Sequence, residues 1–190
     1  GTIAATVLTD ITAQTSGTVT AAAAGITITG TTTEVKAAIV TEATKAIMAN
    51  GKVRLTDTGT VAATVLSGIG AITEGTVTVN GAMTITGSTE EIKNALVTET
   101  SKVIATTSAN VTFVGDNPTG AELADINDAA GGTITLANNA QTFTGTAAVM
   151  KSAFAGGLAN TQTGAVKIND TEGTIAATVL TDITAQTSGT

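Results

Sequence analysis

Three aspartates are the residues of this chain whose type and position fit metal chemistry. Asp57, Asp116 and Asp170 each end or closely follow a predicted strand, just before a predicted helix. Carboxylate oxygens are ligands of hard cations, so one interpretation is calcium bound in the strand–helix turns. The other interpretation is that each carboxylate caps a helix N-terminus. Because the sequence has neither an EF-hand loop nor a GGxGxD run, we favour caps and predict no bound metal or other cofactor.

Other polar groups suggest weaker chemistry. Glu90 and Glu91, with Glu99 nearby, are paired carboxylates of the kind that serve as acid and base in a glycosidase. Glu90 and Glu91 also lie at a predicted helix N-terminus, where the helix dipole favours negative charge. Thr-x-Thr pairs such as Thr84 and Thr86 are typical of solvated strand faces, and they also suit an ice-binding row or O-linked sugars. We predict no catalytic residue.

The composition excludes several function classes. The 190 residues include no His, Cys, Trp or Tyr. This removes a Ser-His-Asp triad, a cysteine nucleophile, a Cys/His zinc site and an aromatic platform for bases. A net charge of −7 argues against nucleic acid and anionic membranes as partners. The uncharged stretches 11–33 and 129–150 are interrupted by polar residues and Gly, so we predict no membrane insertion.

The elements that position these residues recur along the chain. Residues 1–18 and 173–190 are identical, which gives a period of 172 residues. Shorter similarities divide this period into three units of about 57 residues. The predicted units are 1–57 (which begins inside a unit), 58–116 and the diverged 117–172, followed by 173–190 as the start of the next period.

Each unit contains two strand–helix pairs. Five-residue segments that alternate apolar and polar residues predict half-buried strands. They begin at Ile26, Val53, Met83, Val111, Gln141 and Val166. A segment with helical spacing of apolar residues follows each one, and Thr31/Glu34 and Ser88/Glu91 have the spacing of capping boxes.

These elements predict an α/β solenoid of about six strand–helix coils. Successive strands, each followed by a helix, pair in parallel, and strands with one apolar face need helices on one side only. The Gly-Thr-Val/Ile-Thr segments at 17–20, 75–78 and 132–135 add a further candidate strand without a predicted place. Predicted helices at Thr2–Thr15 and Thr174–Thr187 leave Val7, Leu8 and Ile11, or their copies, uncovered. We therefore expect neighbouring repeats, or further copies of the chain, to continue the stack head to tail.

Two phrases resemble a known kind of repeat. Asp57–Leu66 (DTGTVAATVL) and Ile85–Lys93 (ITGSTEEIK) are similar to tandem repeats of giant secreted or cell-surface proteins of bacteria, notably the swimming-associated surface protein of marine cyanobacteria. The resemblance covers essentially the whole chain, most weakly 117–165. It implies an extracellular, structural or adhesive role and brings no catalytic residues.

The predicted function is therefore mechanical. The chain is interpreted as a segment of a long secreted or cell-surface repeat protein that forms a filament, stalk or surface layer. One alternative is a spacer in a large adhesin, whose binding site lies elsewhere. A second is a carbohydrate-active enzyme on a solenoid, which a basic or aromatic groove would favour; the sequence offers neither.

Overall fold

The chain is an α/β protein with parallel sheets. A computed structural model describes residues 1–21, 25–41, 46–48, 50–79, 83–98, 103–105, 109–171 and 173–189. The strands in these ranges are β1 Thr2–Ala4, β2 Val19–Thr20, β3 Thr27–Gly30, β4 Ala46–Ile47, β5 Lys52–Leu55, β6 Thr60–Ala62, β7 Val77–Val79, β8 Thr84–Gly87, β9 Val103–Ala105, β10 Ala109–Phe113, β11 Gly131–Thr135, β12 Phe143–Gly145 and β13 Val166–Ile168. The helices there are α1 Ala5–Gln14, α2 Thr32–Val35 (continued by a π-helical segment, Lys36–Thr41), α3 Ala63–Gly70, α4 Thr89–Leu96, α5 Gly120–Ala130, α6 Ala147–Ala155 and α7 Ala177–Thr184.

The strands form four separate parallel sheets. The largest has the order β1-β3-β5-β7-β9, the second β11-β10-β8-β6, and two small sheets pair β12 with β13 and β2 with β4. Paired residues lie about 25 positions apart in the sequence, as in Thr2 with Thr27 and Thr27 with Lys52. Parallel pairing at this spacing leaves room for one helix between paired strands.

The predicted strands pair in twos instead of forming one continuous sheet. β3 pairs with β5, β8 with β10, and β12 with β13, each in a different sheet. Other strands flank these pairs, with β1 and β7 beside β3 and β5, and β6 and β11 beside β8 and β10. The Gly-Thr-Val/Ile-Thr segments form β2, β7 and β11, and β7 lies between β5 and β9. The prediction that all six pair as neighbours in chain order is therefore wrong.

The core lies between the strands and the helices. The strand residues predicted to point inward are all buried, namely Val53, Leu55, Met83, Ile85, Val111 and Phe113. The residues between them, such as Arg54, Thr84 and Thr112, are exposed or half-buried. Successive helices pack against one another along the chain, from α1 to α7. Alternation at period two in the strands thus gives one apolar face that the helices cover.

The helices begin in two ways, with or without a hydroxyl side chain that caps the N-terminus. The predicted capping boxes are confirmed, because the Thr31 and Ser88 hydroxyls each accept from the N–H of the glutamate three residues on, which in turn accepts from the cap residue. Thr119 and Glu122 form a third box at α5. The helices α1, α3 and α7 instead begin after an alanine with no side-chain cap.

Several predicted helix bounds are wrong. Ala46, Ile47 and Val103, predicted on helical faces, lie in strands β4 and β9. In the helix predicted at Thr2–Thr15, the first three residues form strand β1 instead. Helix α7 is shorter than the predicted Thr174–Thr187. In the described ranges, no helix combines the length and apolarity that crossing a bilayer requires.

Candidate functional site

The two identical segments begin their helices alike but differ at both flanks, since only the first has a strand before its helix and α7 ends two residues earlier in the repeat than α1. Helices α1 and α7 both begin after an alanine with extended backbone, at φ −68° and ψ 140° for Ala4 and φ −64° and ψ 137° for Ala176. The Thr9 hydroxyl donates to the Ala5 carbonyl at 3.1 Å, and its copy Thr181 makes the equivalent bond at 3.0 Å. Differences between the copies therefore come from their neighbours.

The second copy packs against the residues that precede it. Helix α7 lies on α6, and the Lys151 ammonium is 2.9 Å from a carboxylate oxygen of Asp182. Beyond the helix, the Ser188 N–H and the Thr187 hydroxyl donate to the Gln162 carbonyl at 2.7 and 2.9 Å. A Cβ on Gly189 would collide with the Gly164 backbone, so only glycine fits there without displacing the chain.

The first copy packs against the residues that follow it. Strand β1 pairs with β3 in parallel, and α1 lies on α2 and its π-helical continuation. The side of the first copy that corresponds to the α6 contact is open. Asp10 is exposed, and a Cβ added to Gly17 would meet only the Thr15 hydroxyl, at 3.6 Å.

Burial in the two copies is complementary. Leu8 is 1% exposed and its copy Leu180 is 41% exposed. Ile11 is 46% exposed and its copy Ile183 is 3% exposed. The prediction was that Val7, Leu8 and Ile11, or their copies, are exposed; Val7, Ile11 and the copy Leu180 are exposed, whereas Leu8 itself is buried.

Helix α3 shows the same sequence pattern with neighbours on both sides. Its Ala63-Thr-Val-Leu66 matches Ala5-Thr-Val-Leu8, and Ile69 corresponds to Ile11. Leu66 and Ile69 are both completely buried, because α3 packs on the preceding π-helical segment and on the following α4. The open sides of α1 and α7 are therefore the two sides that an internal helix of this type covers. We call the open side of residues 1–18 the leading face and the open side of residues 173–189 the trailing face.

The three aspartates do not cap the helices that follow them, whose cap residues are Ala62, Thr119 and Ala176. Asp57 instead accepts from the Thr32 N–H at 2.7 Å and the Thr32 hydroxyl at 2.9 Å, at the start of α2.

Asp170 caps α6 in the same way, accepting from the Ala147 N–H at 2.7 Å. The Asp116 backbone carbonyl accepts from the Thr89 hydroxyl at 3.2 Å, at the start of α4. Each aspartate thus contacts a helix start reached by parallel strand pairing, 23 to 27 residues earlier in the chain. Sequence adjacency pointed to the wrong helix for all three.

A polar groove of about 670 Å³ lies between the starts of α4 and α5. Its lining includes Glu90, Asp116 and an ion pair in which Lys93 Nζ donates to Glu122 Oε1 at 2.8 Å. The Lys93 hydrogen bond, followed by that of the Thr119 N–H, lowers the pKa of Glu122 from 4.5 to about 2. The same hydrogen bond raises the pKa of Lys93. This pairing ties α4 to α5 and leaves Glu122 ionised at neutral pH.

The structure does not assemble the predicted carboxylates into one site. In the described ranges, no three acidic residues are placed to hold a metal ion. Glu91 is engaged in the Ser88 capping box, Glu90 lines the groove, and Glu99 lies outside the described residues. The absence of a bound metal stays a prediction, and calcium at Asp57, Asp116 and Asp170 stays the alternative interpretation.

Sequence reasoning missed two features. The Thr119/Glu122 box has the Thr-x-x-Glu spacing that identified the other two, so the same signal would have found it. The pairing of each aspartate with an earlier helix has no local signal. Comparison with known proteins finds no matching family model, no similar curated protein and no similar solved structure.

Proposed function

We propose that this chain is a structural segment of a long secreted or cell-surface repeat protein that forms a filament, stalk or surface layer. In this proposal the strand–helix elements are stacked coils of a solenoid, and neighbouring repeats cover both ends. The observation that carries it is the burial of α3 on both sides beside the one-sided burial of α1 and α7.

The pairing pattern supports a stacked arrangement. The five strands of the largest sheet pair at offsets of about 25 residues from Thr2 to Val103. Helices contact their neighbours in chain order over the same span and beyond it. Each element thus contacts its equivalents in the adjacent turns of the chain, which is the contact pattern of repeat proteins.

The polar surface supports a role without chemistry on a substrate. Asp57 and Asp170 hold helix starts, and Glu122 joins α4 to α5. We propose a location outside the cell on the resemblance of the repeated phrases. We assign the chain no catalytic residue and no nucleic-acid partner.

Small-angle X-ray scattering tests the stacking. Appending a second 172-residue period should lengthen the particle by roughly 30 to 60 Å at unchanged cross-section, from strand spacings of about 4.8 Å and helix spacings of about 8–10 Å. The matched control carries a flexible Gly/Ser linker between the periods, which separates the stacks. Scattering from the direct fusion that matches two independently moving bodies, as in the linker control, contradicts the proposal.

The location has its own test. An antibody against the chain should label intact cells of the source organism as strongly as permeabilised cells. Labelling that requires permeabilisation contradicts a surface role and leaves the stacking result standing.

A further inference from the structure

We propose that copies of this chain associate side by side, with the outer side of strand β5 in one copy docked on helix α5 of a second copy. The inference rests on the proposed function and adds the contact that would join stacked chains into a layer. Both surfaces belong to internal elements, since β5 lies between β3 and β7, and α5 packs between α4 and α6.

Charge is divided between the strands and the helices. Across the strands that the structure describes, none contains an aspartate or a glutamate, whereas acidic residues occur in α1, α2, α4, α5 and α7. Lysine and arginine occur in both layers, and those in strands are Lys52, Arg54 and Lys167. The outer side of the strands is therefore neutral or positive, and the outer side of the helices is mainly negative.

The outer side of β5 presents two cations among threonines. Lys52 and Arg54 are exposed, whereas Val53 between them is buried against the helices. The residues paired with the two cations in β3 and β7 are threonines, whose shorter side chains leave the cations protruding. We call this surface the basic sheet patch, and it consists of Thr27, Thr29, Lys52, Arg54 and Thr78.

Helix α5 presents acids along one stripe. Ala121, Asp125 and Asp128 are exposed, and their spacing of four and three residues places them on one side of the helix. Leu123 and Ile126, which point the other way, are completely buried. We call Ala121, Asp125 and Asp128 the acidic helix stripe.

The charges of these two surfaces are not used in ion pairs within the chain. The ion pairs found in the described ranges are Lys93 with Glu122 and Lys151 with Asp182. The cations of the basic sheet patch and the acids of the acidic helix stripe take part in neither pair. Each surface therefore has charges that a partner of opposite sign can bind.

The spacing of the opposite charges is similar. Lys52 and Arg54 are alternate residues of a strand, which places them about 6.6 Å apart along it. Asp125 and Asp128 are three residues apart on a helix, where the Cβ atoms lie about 5–6 Å from each other. Two ion pairs can therefore form together when the helix lies along the strand. The small Ala121 and the threonines of the patch permit the close approach that these ion pairs require.

A second copy of the chain supplies the partner surface. Within one chain the patch and the stripe face outward from opposite layers, so they cannot meet. Because the contact joins two different surfaces, it is heterologous and can repeat from copy to copy. At about 0.15 M salt the Debye length of about 8 Å screens the repulsion between chains of net charge −7, so the contacting charges decide. The contact is small, so single chains should associate weakly and tandem periods more strongly.

Two charge-reversed variants of the full chain test the inference. One combines Lys52→Glu with Arg54→Glu, and the other combines Asp125→Lys with Asp128→Lys. All four side chains are exposed, so circular dichroism should show both variants melting as the unmodified chain does.

Sedimentation equilibrium measures the association. At about 1 mM protein and about 0.15 M salt, the mean mass of the unmodified chain should be at least about 1.5 times the monomer mass. Each variant alone should have the monomer mass, because like charges then face each other. An unmodified chain that stays monomeric, or variants that associate as strongly as it does, overturns the inference.

An equimolar mixture of the two variants restores the complementary charges. The reversed patch of one variant then meets the reversed stripe of the other, and the remaining native surfaces of the two also match. The mixture should regain the mean mass of the unmodified chain. A mixture that stays monomeric overturns the inference.

The matched control combines Lys36→Glu with Lys151→Glu. It changes the net charge as much as reversal of the patch does, but on exposed residues of the helical layer. It should associate as the unmodified chain does, and loss of association would show that net charge decides and overturn the inference.

Two further outcomes separate the alternatives. A monomeric chain that binds dextran sulfate, with the binding lost in the patch variant, would assign the patch to a polyanion and overturn the inference. If no association is found while the appended-period chain still scatters as one elongated particle, side-by-side docking fails and the proposed function stands.

Discussion

Residues 1–18 and residues 173–189 share one sequence, and the helices that they form, α1 and α7, bury opposite sides. The first copy buries Leu8 and exposes Ile11, whereas the second exposes Leu180 and buries Ile183. The backbone angles at Ala4 and Ala176 and the hydrogen bonds of Thr9 and Thr181 match, so local sequence fixes the helix start in both copies, whereas the helix ends two residues earlier in the second copy. Which residues form core is decided by the neighbouring elements. Identical substitutions at matched positions can therefore separate these two influences.

The largest difference is expected for leucine. Leu8→Ala should lower the free energy of unfolding by about 2–5 kcal/mol, because it leaves a cavity beneath α1. Leu180→Ala should cost less than about 1 kcal/mol, since the Leu180 side chain is already 41% exposed. Urea unfolding followed by circular dichroism measures both. Equal losses for the two variants would show that both copies are buried alike in solution.

Alanine at the two matched glycine positions is expected to change stability in opposite directions. Gly189→Ala should destabilise the end of the chain by about 1–3 kcal/mol, because its Cβ meets the Gly164 backbone. Gly17→Ala should be neutral or stabilising by up to about 1 kcal/mol, since the space is open and alanine restricts the unfolded chain. Hydrogen exchange at Gln162, whose N–H donates to Gln186, reports the first effect. Unchanged protection in Gly189→Ala would argue against close packing there.

Removing one methylene group from the isoleucines should give a smaller difference in stability, and here the second copy should lose more than the first. Ile183→Val should cost about 1 kcal/mol and Ile11→Val close to nothing, because only Ile183 is buried. Hydrogen exchange within α7 and α1 measures the change locally. A greater loss at Ile11 than at Ile183 would reverse the assignment of the leading face.

The stability contributed by the ion pair between α4 and α5 can be compared at different pH values. The pKa of Glu122 is lowered to about 2 from 4.5, so its contribution to stability is complete above about pH 4.5 and is lost as the pH falls towards 2. Because Lys93 is solvent-exposed and its charge is screened, the change in melting temperature should be small. Glu122→Gln should flatten this part of the profile relative to the unmodified chain. Identical profiles from pH 5 to 2 would show that the pair contributes nothing.

The smallest expected effect is that of chelation. If contacts between neighbouring elements stabilise the chain without a bound metal, EDTA and added calcium should leave the melting temperature unchanged. Asp57→Asn and Asp170→Asn serve as matched variants, because an asparagine oxygen retains the helix-start hydrogen bond and binds calcium less well. A large fall in the melting temperature on adding EDTA, absent in these two variants, would show that calcium binds at the aspartates.

Local sequence patterns predicted which residues form strands and helices better than they predicted which elements contact one another. The alternation of apolar and polar residues in β5 and β10, and the Thr31 and Ser88 capping boxes, follow from residues a few positions apart. Strand β1 was missed because three residues before a helix are too few to show a period of two. Segments this short that contain Thr, Ala and Val suit a strand as well as a helix. The helices predicted to include Ala46 and Val103 therefore end earlier in the structure than in the prediction.

The arrangement of the sheets and the acidic side chains depends on pairing. The sequence contains the Gly-Thr-Val/Ile-Thr segments, but their insertion beside the predicted strands depends on which edges remain available. Asp57 is bonded to Thr32, twenty-five residues away, because strand register brings them together. The open leading and trailing faces were foreseen only in part, since Leu8 is covered by the helix that follows it.

The regular offset of the pairing has a consequence for how the chain folds. In the described ranges, the hydrogen bonds that join different elements link residues roughly 21 to 29 positions apart, from Asn117 with Asn138 to Lys93 with Glu122. Such short separations mean low contact order, which favours rapid folding. Each strand finds its partner in the turn synthesised just before it. The chain should therefore fold progressively from its N-terminal side during translation, with each new turn templated by the one already formed.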